Sequence, residues 1–418
     1  MRIYLFSLLL CLFCAAPALS QVQGGNNNAS SNSSILTTET AEKQCDCYLV
    51  SGPDQGYFQR YQLWDFRHAP GPREIPPSEQ PLEGHDEDEE DSQDSIFGSN
   101  VLPLSSSVFA RDWKTQNWRR QGTAIKPVPL RNSVRNIFFA KDTPGSDEGT
   151  ARDSYLVLRT KRYHNYTSSA EIESRMTNIF RCSLRIRFRL LPYGGLSNRS
   201  ETDVKPSRHE HTDLTPSGPP KGACAGIFTY HTSGSESDIE ILTKESSNIV
   251  HYANQPDYDP ETDTTIPGAS TVAAIPTPWT KWSTHRLDWF SNVSAWWVDG
   301  HMQTSKNYMV PNMPSTLVMN LWSDGGDWTG DMTVGESVFM GVEWIQLAYN
   351  VSEVSGQRPR QAPGLTEMEV GSDDGASSLD DADVLKGGKK KGKGRKHKGK
   401  GKNEKSQKCQ RPCWLDDV

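Results

Sequence analysis

Ser235-Glu-Ser-Asp-Ile-Glu-Ile-Leu242 decides the reading of this chain. Glu236, Asp238 and Glu240 fall at every second position, with Ser237, Ile239 and Ile241 between them. Side chains on a β-strand alternate between its two faces. The spacing therefore predicts a strand with three carboxylates on one face and two core isoleucines on the other. Asp and Glu are poor strand formers, and like charges crowded on one face repel and raise at least one pKa. A merely solvated face would mix Thr, Lys and Ser. Calcium ligation is the weaker alternative, because a flat strand does not wrap an ion as a loop does. We expect no metal and no cofactor.

The alternation continues outward. In Cys182-Ser-Leu-Arg-Ile-Arg-Phe-Arg-Leu190 the apolar residues face one way, and Arg185, Arg187 and Arg189 face the other. That arginine face reads as solvated or ion-paired. Residues 155–159, 223–230, 237–243, 285–290, 295–298, 316–322 and 338–348 also read as strands, punctuated by Gly, Pro, Asn and Asp. No long helical period and no internal repeat is present. The fold class is all-β, an antiparallel sandwich whose two sheets share one core.

The 418 residues divide unevenly by composition. Residues 1–20 read as a secretory signal, with Arg2, an apolar run and Ala18-Leu19-Ser20. Residues 21–44 form a polar leader with sequons at Asn28 and Asn32; further sequons fall at Asn165, Asn198, Asn292 and Asn350. Packed sequence spans 45–350, with a Pro-rich acidic insertion at about 69–106. An acidic linker (351–385), a basic segment (386–408) and a Cys-containing C-terminus (409–418) follow. The net charge is -7, yet residues 386–408 carry 12 Lys and Arg against Glu404, so the remainder carries about -18. An acidic body is no nucleic-acid partner. No apolar run reaches the ~20 residues that span a bilayer, and no apolar stretch after the basic segment suggests a GPI anchor. Beyond the signal, six cysteines remain, an even count that suggests disulfides in an oxidising compartment. The expected pairing ties Cys409 and Cys413 to Cys45 and Cys47, and leaves Cys182 with Cys224.

Two carboxyls with separated pKa values are what glycoside hydrolysis requires: one attacks the anomeric carbon, the other protonates the leaving oxygen and then activates water. On a straight strand Glu236 and Glu240 would lie ~13 Å apart at Cα. A retaining pair needs its carboxyls ~5–5.5 Å apart, so sheet curvature and converging side chains must close the gap. Asn320 and Trp322 share a strand face opposite Leu317, Met319 and Leu321, which points them at the groove. Trp328 is a second candidate for stacking on sugar rings. His251 and Tyr252 are candidates to assist the acid, an ordinary structural role being the alternative. Trp289 and Trp297 read as core.

Glu236-Ser-Asp-Ile-Glu240 resembles the E-x-D-x-E signature of glycoside hydrolase family 16, the laminarinase, lichenase and wall-glucan transglycosylase group. The context is similar too: an arginine-containing strand upstream, Gly226-Ile-Phe-Thr-Tyr230 just before, then Trp282-Ser-Thr-His285, Trp297-Val-Asp-Gly300, Met319-Asn-Leu-Trp322 and Trp328-Thr-Gly330. Cys-x-Cys-Tyr with Trp-Asp-Phe-Arg is similar to a secreted fungal branch. The resemblance covers about residues 45–350. It implies a concanavalin A-like β-sandwich (jelly roll) with Glu236 as nucleophile, Asp238 as assisting carboxylate and Glu240 as general acid/base. Ser237 stands where many members carry Ile or Leu. The implied function is a secreted, retaining, endo-acting β-glucan hydrolase, monomeric, with β-1,3 or β-1,3/1,4-glucan as partner. A wall β-glucan or chitin transglycosylase, a non-catalytic glycan-binding wall protein and an adhesive surface protein are the alternatives. The basic segment reads as a solvated polycation, as an anchor to an anionic wall polymer or membrane surface, or as a nuclear signal, which a secretory leader disfavours.

Overall fold

The computed structural model describes residues 45–52, 56–69, 102–141, 153–191, 218–259, 261–262, 264–352 and 409–415. The expected signal, leader and basic segment, and nearly all of the acidic insertion and linker, lie outside the described residues. Among those described, no helix is long and apolar enough to cross a membrane.

Two sheets stack as a jelly-roll sandwich. One holds seven strands, antiparallel throughout, in the order Trp113–Thr115, Thr167–Ser174, Thr316–Trp322, Cys224–Thr232, Ser235–Leu242, Ile249–Asn254 and Ser270–Ala274. We call it the groove sheet. The other centres on Ile179–Leu190, flanked by Ser283–Trp289 and by the long strand Ser337–Val351. It extends through Ser294–Val298 and His301–Lys306 on one side. On the other side it extends through Arg60–Asp65 and Ser154–Arg162. Thr167–Ser174 joins the two: its first residues pair with Ser154–Arg162 and, in parallel, with Leu130–Asn132, and its later ones pair within the groove sheet. The pairings thus close round into a flattened barrel with a filled interior.

Alternation sets the core. Leu184, Ile186, Phe188 and Leu190 pack inward against Ile239, Ile241, Leu317, Met319 and Leu321 of the facing sheet. Each such side chain contributes ~1.5–3 kcal/mol on leaving water. On the reverse face Arg187 Nε donates to Glu343 Oε2 at 2.7 Å, and Arg189 lies over the Trp282 ring at 4.7 Å. The arginine face is therefore paired and half-covered rather than solvated. Asp299-Gly300 turns the hairpin between Ser294–Val298 and His301–Lys306, with φ of +48° and +79°. Two consecutive residues at positive φ make this the two-residue turn whose twist matches the strands.

The C-terminus returns to the N-terminal strand. Pro412–Trp414 pairs in parallel with Cys47–Leu49, and Cys45–Cys413 and Cys47–Cys409 disulfides close the junction. Leu415 is buried beside Val50 and Phe58. The expected pairing of Cys182 with Cys224 is corrected: both are free, buried thiols. Cys182 points into the core between the sheets, whereas Cys224 shares the groove face with Glu240. The thickness of a sheet separates them, beyond the reach of a disulfide.

Candidate active site

Ser235–Leu242 runs fifth in the groove sheet, between Cys224–Thr232 and Ile249–Asn254. Ile239 and Ile241 are buried in the core, as alternation requires. Ser237, the departure from Ile or Leu, is fully buried on the same face. Its Oγ donates to Asn254 Oδ1 at 2.5 Å and lies 3.2 Å from Ser294 Oγ on the opposite sheet. A hydrophobic contact is thus replaced by a satisfied polar bridge between sheets.

Glu236, Asp238 and Glu240 line one groove. Phe228, Tyr230, Val318, Asn320 and Trp322 form its walls and floor. Burial drives all three motif carboxyls above the ordinary range; repulsion from within the trio adds to it at Glu236 and Asp238, and the Asp257 carboxylate adds to it at all three. Glu236 and Asp238 lie within hydrogen-bond reach of each other. Gln255 Nε2 donates to Asp238 Oδ2 at 2.8 Å, while Asp238 Oδ1 receives no amide or hydroxyl donor among the described residues. Two acceptors in contact need a proton between them, so this pair holds one. Glu240 differs. The Cys224 thiol donates to its Oε1 at 3.5 Å and the Trp328 indole also bonds to it, both opposing the effect of burial.

The structure sorts the other candidates. Asn320 and Trp322 line the groove, as strand parity required. Gly226 lets Asn320 lie flat on the floor, since a Cβ there would come within 2.5 Å of Asn320 Oδ1. Trp328 sits beside the groove rather than in its wall, 40% exposed, edge-on to the His251 ring at 4.9 Å. His251 is the cross-strand partner of Glu240, and its Nε2 lies 2.8 Å from Glu245 Oε2. Tyr252 is corrected. It pairs with Ile239, points into the core and packs against Trp296, so it does not reach the groove. Adjacent residues of one strand cannot both face the same side. Trp289 is core, with its indole bonded to Pro311 O at 2.7 Å, whereas Trp297 is half-buried under Arg286.

Two groove carboxylates escaped the sequence reading: Glu171 and Glu173 on Thr167–Ser174. The signal was present, since Ala170-Glu-Ile-Glu173 alternates as the motif strand does. Trp118 Nε1 donates to Glu171 Oε1 at 2.8 Å and Asn320 Nδ2 to its Oε2 at 3.3 Å. Burial nevertheless pushes Glu171 up to about 7. Gln116 Nε2 donates to Glu173. Beyond Asn320 the groove continues into a smaller hollow with Trp118, Lys126 and the ion pair of Arg120 with Asp324 at 2.9 Å.

Two curated relatives match in sequence. A β-glucanase of Bacillus licheniformis is 25% identical over 134 residues, 30% of this chain and 51% of that protein. Crh-like protein 2 of Aspergillus fumigatus is 24% identical over 118 residues, 25% of each chain. The resemblance to glycoside hydrolase family 16 holds. The chain spans about half and a quarter, respectively, of these relatives' lengths. No family model matches the chain. Among solved structures, a Bacillus licheniformis β-glucanase aligns with TM-score 0.41 and 16% identity over 60% of this chain and 97% of that one. The catalytic domain of an endo-1,3-β-glucanase (laminarinase) from Thermotoga petrophila aligns with TM-score 0.39 and 15% identity, over 58% and 92%.

Proposed function

We propose that this protein is a secreted, retaining, endo-acting β-glucan hydrolase. The observation that carries the reading is the trio of acids from one strand facing one aromatic-walled groove. Glu236 attacks the anomeric carbon while Glu240 protonates the departing glycosidic oxygen. The carbon–oxygen bond breaks and a glycosyl ester of Glu236 forms. Glu240, now ionised, takes a proton from water, whose oxygen attacks the same carbon and frees Glu236. The contact between the two raises Glu236 and lowers Asp238, so for attack their shared proton must pass to Asp238, which then donates a hydrogen bond to the ionised Glu236. The buried, partly apolar surroundings strengthen these interactions and raise the Glu240 pKa, which favours its acid form. Trp322 offers a ring face to the sugar and Asn320 an amide to its hydroxyls. The two disulfides support an oxidising compartment, and the basic segment 386–408 is proposed to retain the enzyme on anionic polymer.

A panel of laminarin, lichenan and related β-glucans tests the reading. Wild type should release reducing sugar with retained anomeric configuration, and Glu236→Gln should lose at least about 1000-fold of it. Equal release by the two proteins overturns the assignment. Product masses that exceed those of the substrate mark transfer to a sugar hydroxyl in place of water, the transglycosylase alternative.

A further inference from the structure

Two large aromatic side chains stand outside the groove and take no part in the chemistry above: Tyr57 at 48% exposure and Trp414 at 41%. Strand register brings them together. Leu49 is the cross-strand partner of Tyr57 on one side and of Trp414 on the other. The three therefore form one row across the small sheet of Tyr57–Phe58, Cys47–Leu49 and Pro412–Trp414. Alternation sends their neighbours Val50, Phe58 and Leu415 the other way, onto Phe290 and Ala348. Leu347 and Tyr349, on either side of Ala348, face the core between the large sheets, so Ala348 belongs to the outer surface of the sandwich. The row thus faces solvent on the side away from the groove.

Single exposed apolar residues are ordinary on a protein surface. This row differs in rigidity, spacing and size. Strands of two or three residues do not hold a sheet alone, and here two disulfides fasten the outer strand to the central one. A platform held in advance binds with little ordering cost. The two rings stand on strands two spacings apart, ~9.5 Å. That is comparable with the repeat of two units in an extended β-linked sugar chain, whose apolar C–H faces stack on aromatic rings. Two half-exposed rings offer only about 200 Å², whereas a stable protein interface takes about 800 Å² from each partner. The row is thus too small for a second copy of the chain and sized for a polysaccharide strand. In sequence, the basic run 386–408 leads directly into Cys409, bonded to Cys47 of the same sheet.

We propose that Tyr57, Leu49 and Trp414 form a second, non-catalytic glycan site, on which an extended β-linked glucan chain stacks and holds the protein to insoluble polymer. The site lies behind the sandwich, so a chain seated there leaves the groove open. The inference goes beyond the hydrolase reading and does not need the groove to be catalytic.

Depletion of the full chain carrying Glu236→Gln by particles of insoluble β-1,3-glucan and of insoluble β-1,4-glucan tests it, in high salt that screens the basic segment. Adding Tyr57→Ala with Trp414→Ala should weaken binding to at least one polymer about tenfold. Phe at both positions keeps the stacking faces and should restore most of it. In the active protein, the same Ala pair should leave kcat/KM on a short soluble oligosaccharide and the disulfide map unchanged. Equal binding by the Ala pair overturns the inference, as does a Phe pair that binds no better than the Ala pair. Failure of the parent to bind either polymer in high salt also overturns it and leaves retention to the polycation. So does a dimer on sizing columns that the Ala pair dissolves, which marks a second copy as the occupant. If wild type cleaves glucan while the Ala pair binds as the parent does, the second site falls and the enzyme stands. If nothing is cleaved while binding follows the rings, the enzyme falls and the site stands.

Discussion

At Glu171, burial and electrostatics act on one proton. Its pKa near 7 lies above the ordinary carboxyl value, so the folded protein holds a proton there that the unfolded chain has released. Stability is then greatest below the unfolded value, falls as pH rises and levels off above about 7. Glu171→Gln removes this dependence. Its stability relative to wild type should rise between pH 5 and pH 8, by about 3 kcal/mol at most, as followed by denaturant unfolding. A second residue-scale outcome concerns Cys224. Its thiol favours the ionised form of Glu240. Cys224→Ala should raise the Glu240 pKa and move the basic limb of the kcat/KM profile to higher pH. An unmoved or lowered limb would mean the thiol does not act on Glu240.

At the scale of the strand, two faces of Ser235–Leu242 do separate work. Replacing Ser237 by Ala leaves Asn254 Oδ1 buried without its donor, at about 1–3 kcal/mol. Urea unfolding should show that loss, with the acid limb of activity unchanged. Strand parity was legible wherever apolar and polar residues alternate: 182–190, 316–322 and the motif itself all face as their sequence predicts. Thr167–Ser174 was only partly legible: Ala170-Glu-Ile-Glu173 alternates, but three of the eight residues are Ser and the strand has little apolar contrast. The Tyr252 error came from proximity in sequence to His251. Pairing register, Glu240 with His251 and Ile239 with Tyr252, is a property of the sheet that no single strand reveals.

At the scale of the molecule, the two disulfides join residues 368 and 362 positions apart. Chain-entropy models give loops of even 100 residues about 4–5 kcal/mol. Replacing Cys409 and Cys413 together by Ser should therefore destabilise the fold by about 2–5 kcal/mol and free the C-terminal strand, seen as a lower Tm. A tryptic map without reductant, after alkylation of the unfolded protein, should show peptides of Cys45 and Cys47 crosslinked to those of Cys409 and Cys413. Cys182 and Cys224 should each be alkylated; a Cys182–Cys224 crosslink would contradict the sheet positions described. The N-to-C pairing was legible because those four cysteines bracket the packed sequence. The state of the remaining two was not, since it depends on which side of a sheet each one faces.

The central claim is that Glu236 becomes covalently bonded to the sugar. Incubation of wild type with a 2-deoxy-2-fluoro β-glucan oligosaccharide bearing an activated leaving group slows the second step and accumulates the ester. Peptide mapping should place a single glycosyl adduct on Glu236. An adduct on Glu240 or Asp238, or continued release of the leaving group with no adduct anywhere, would contradict the account.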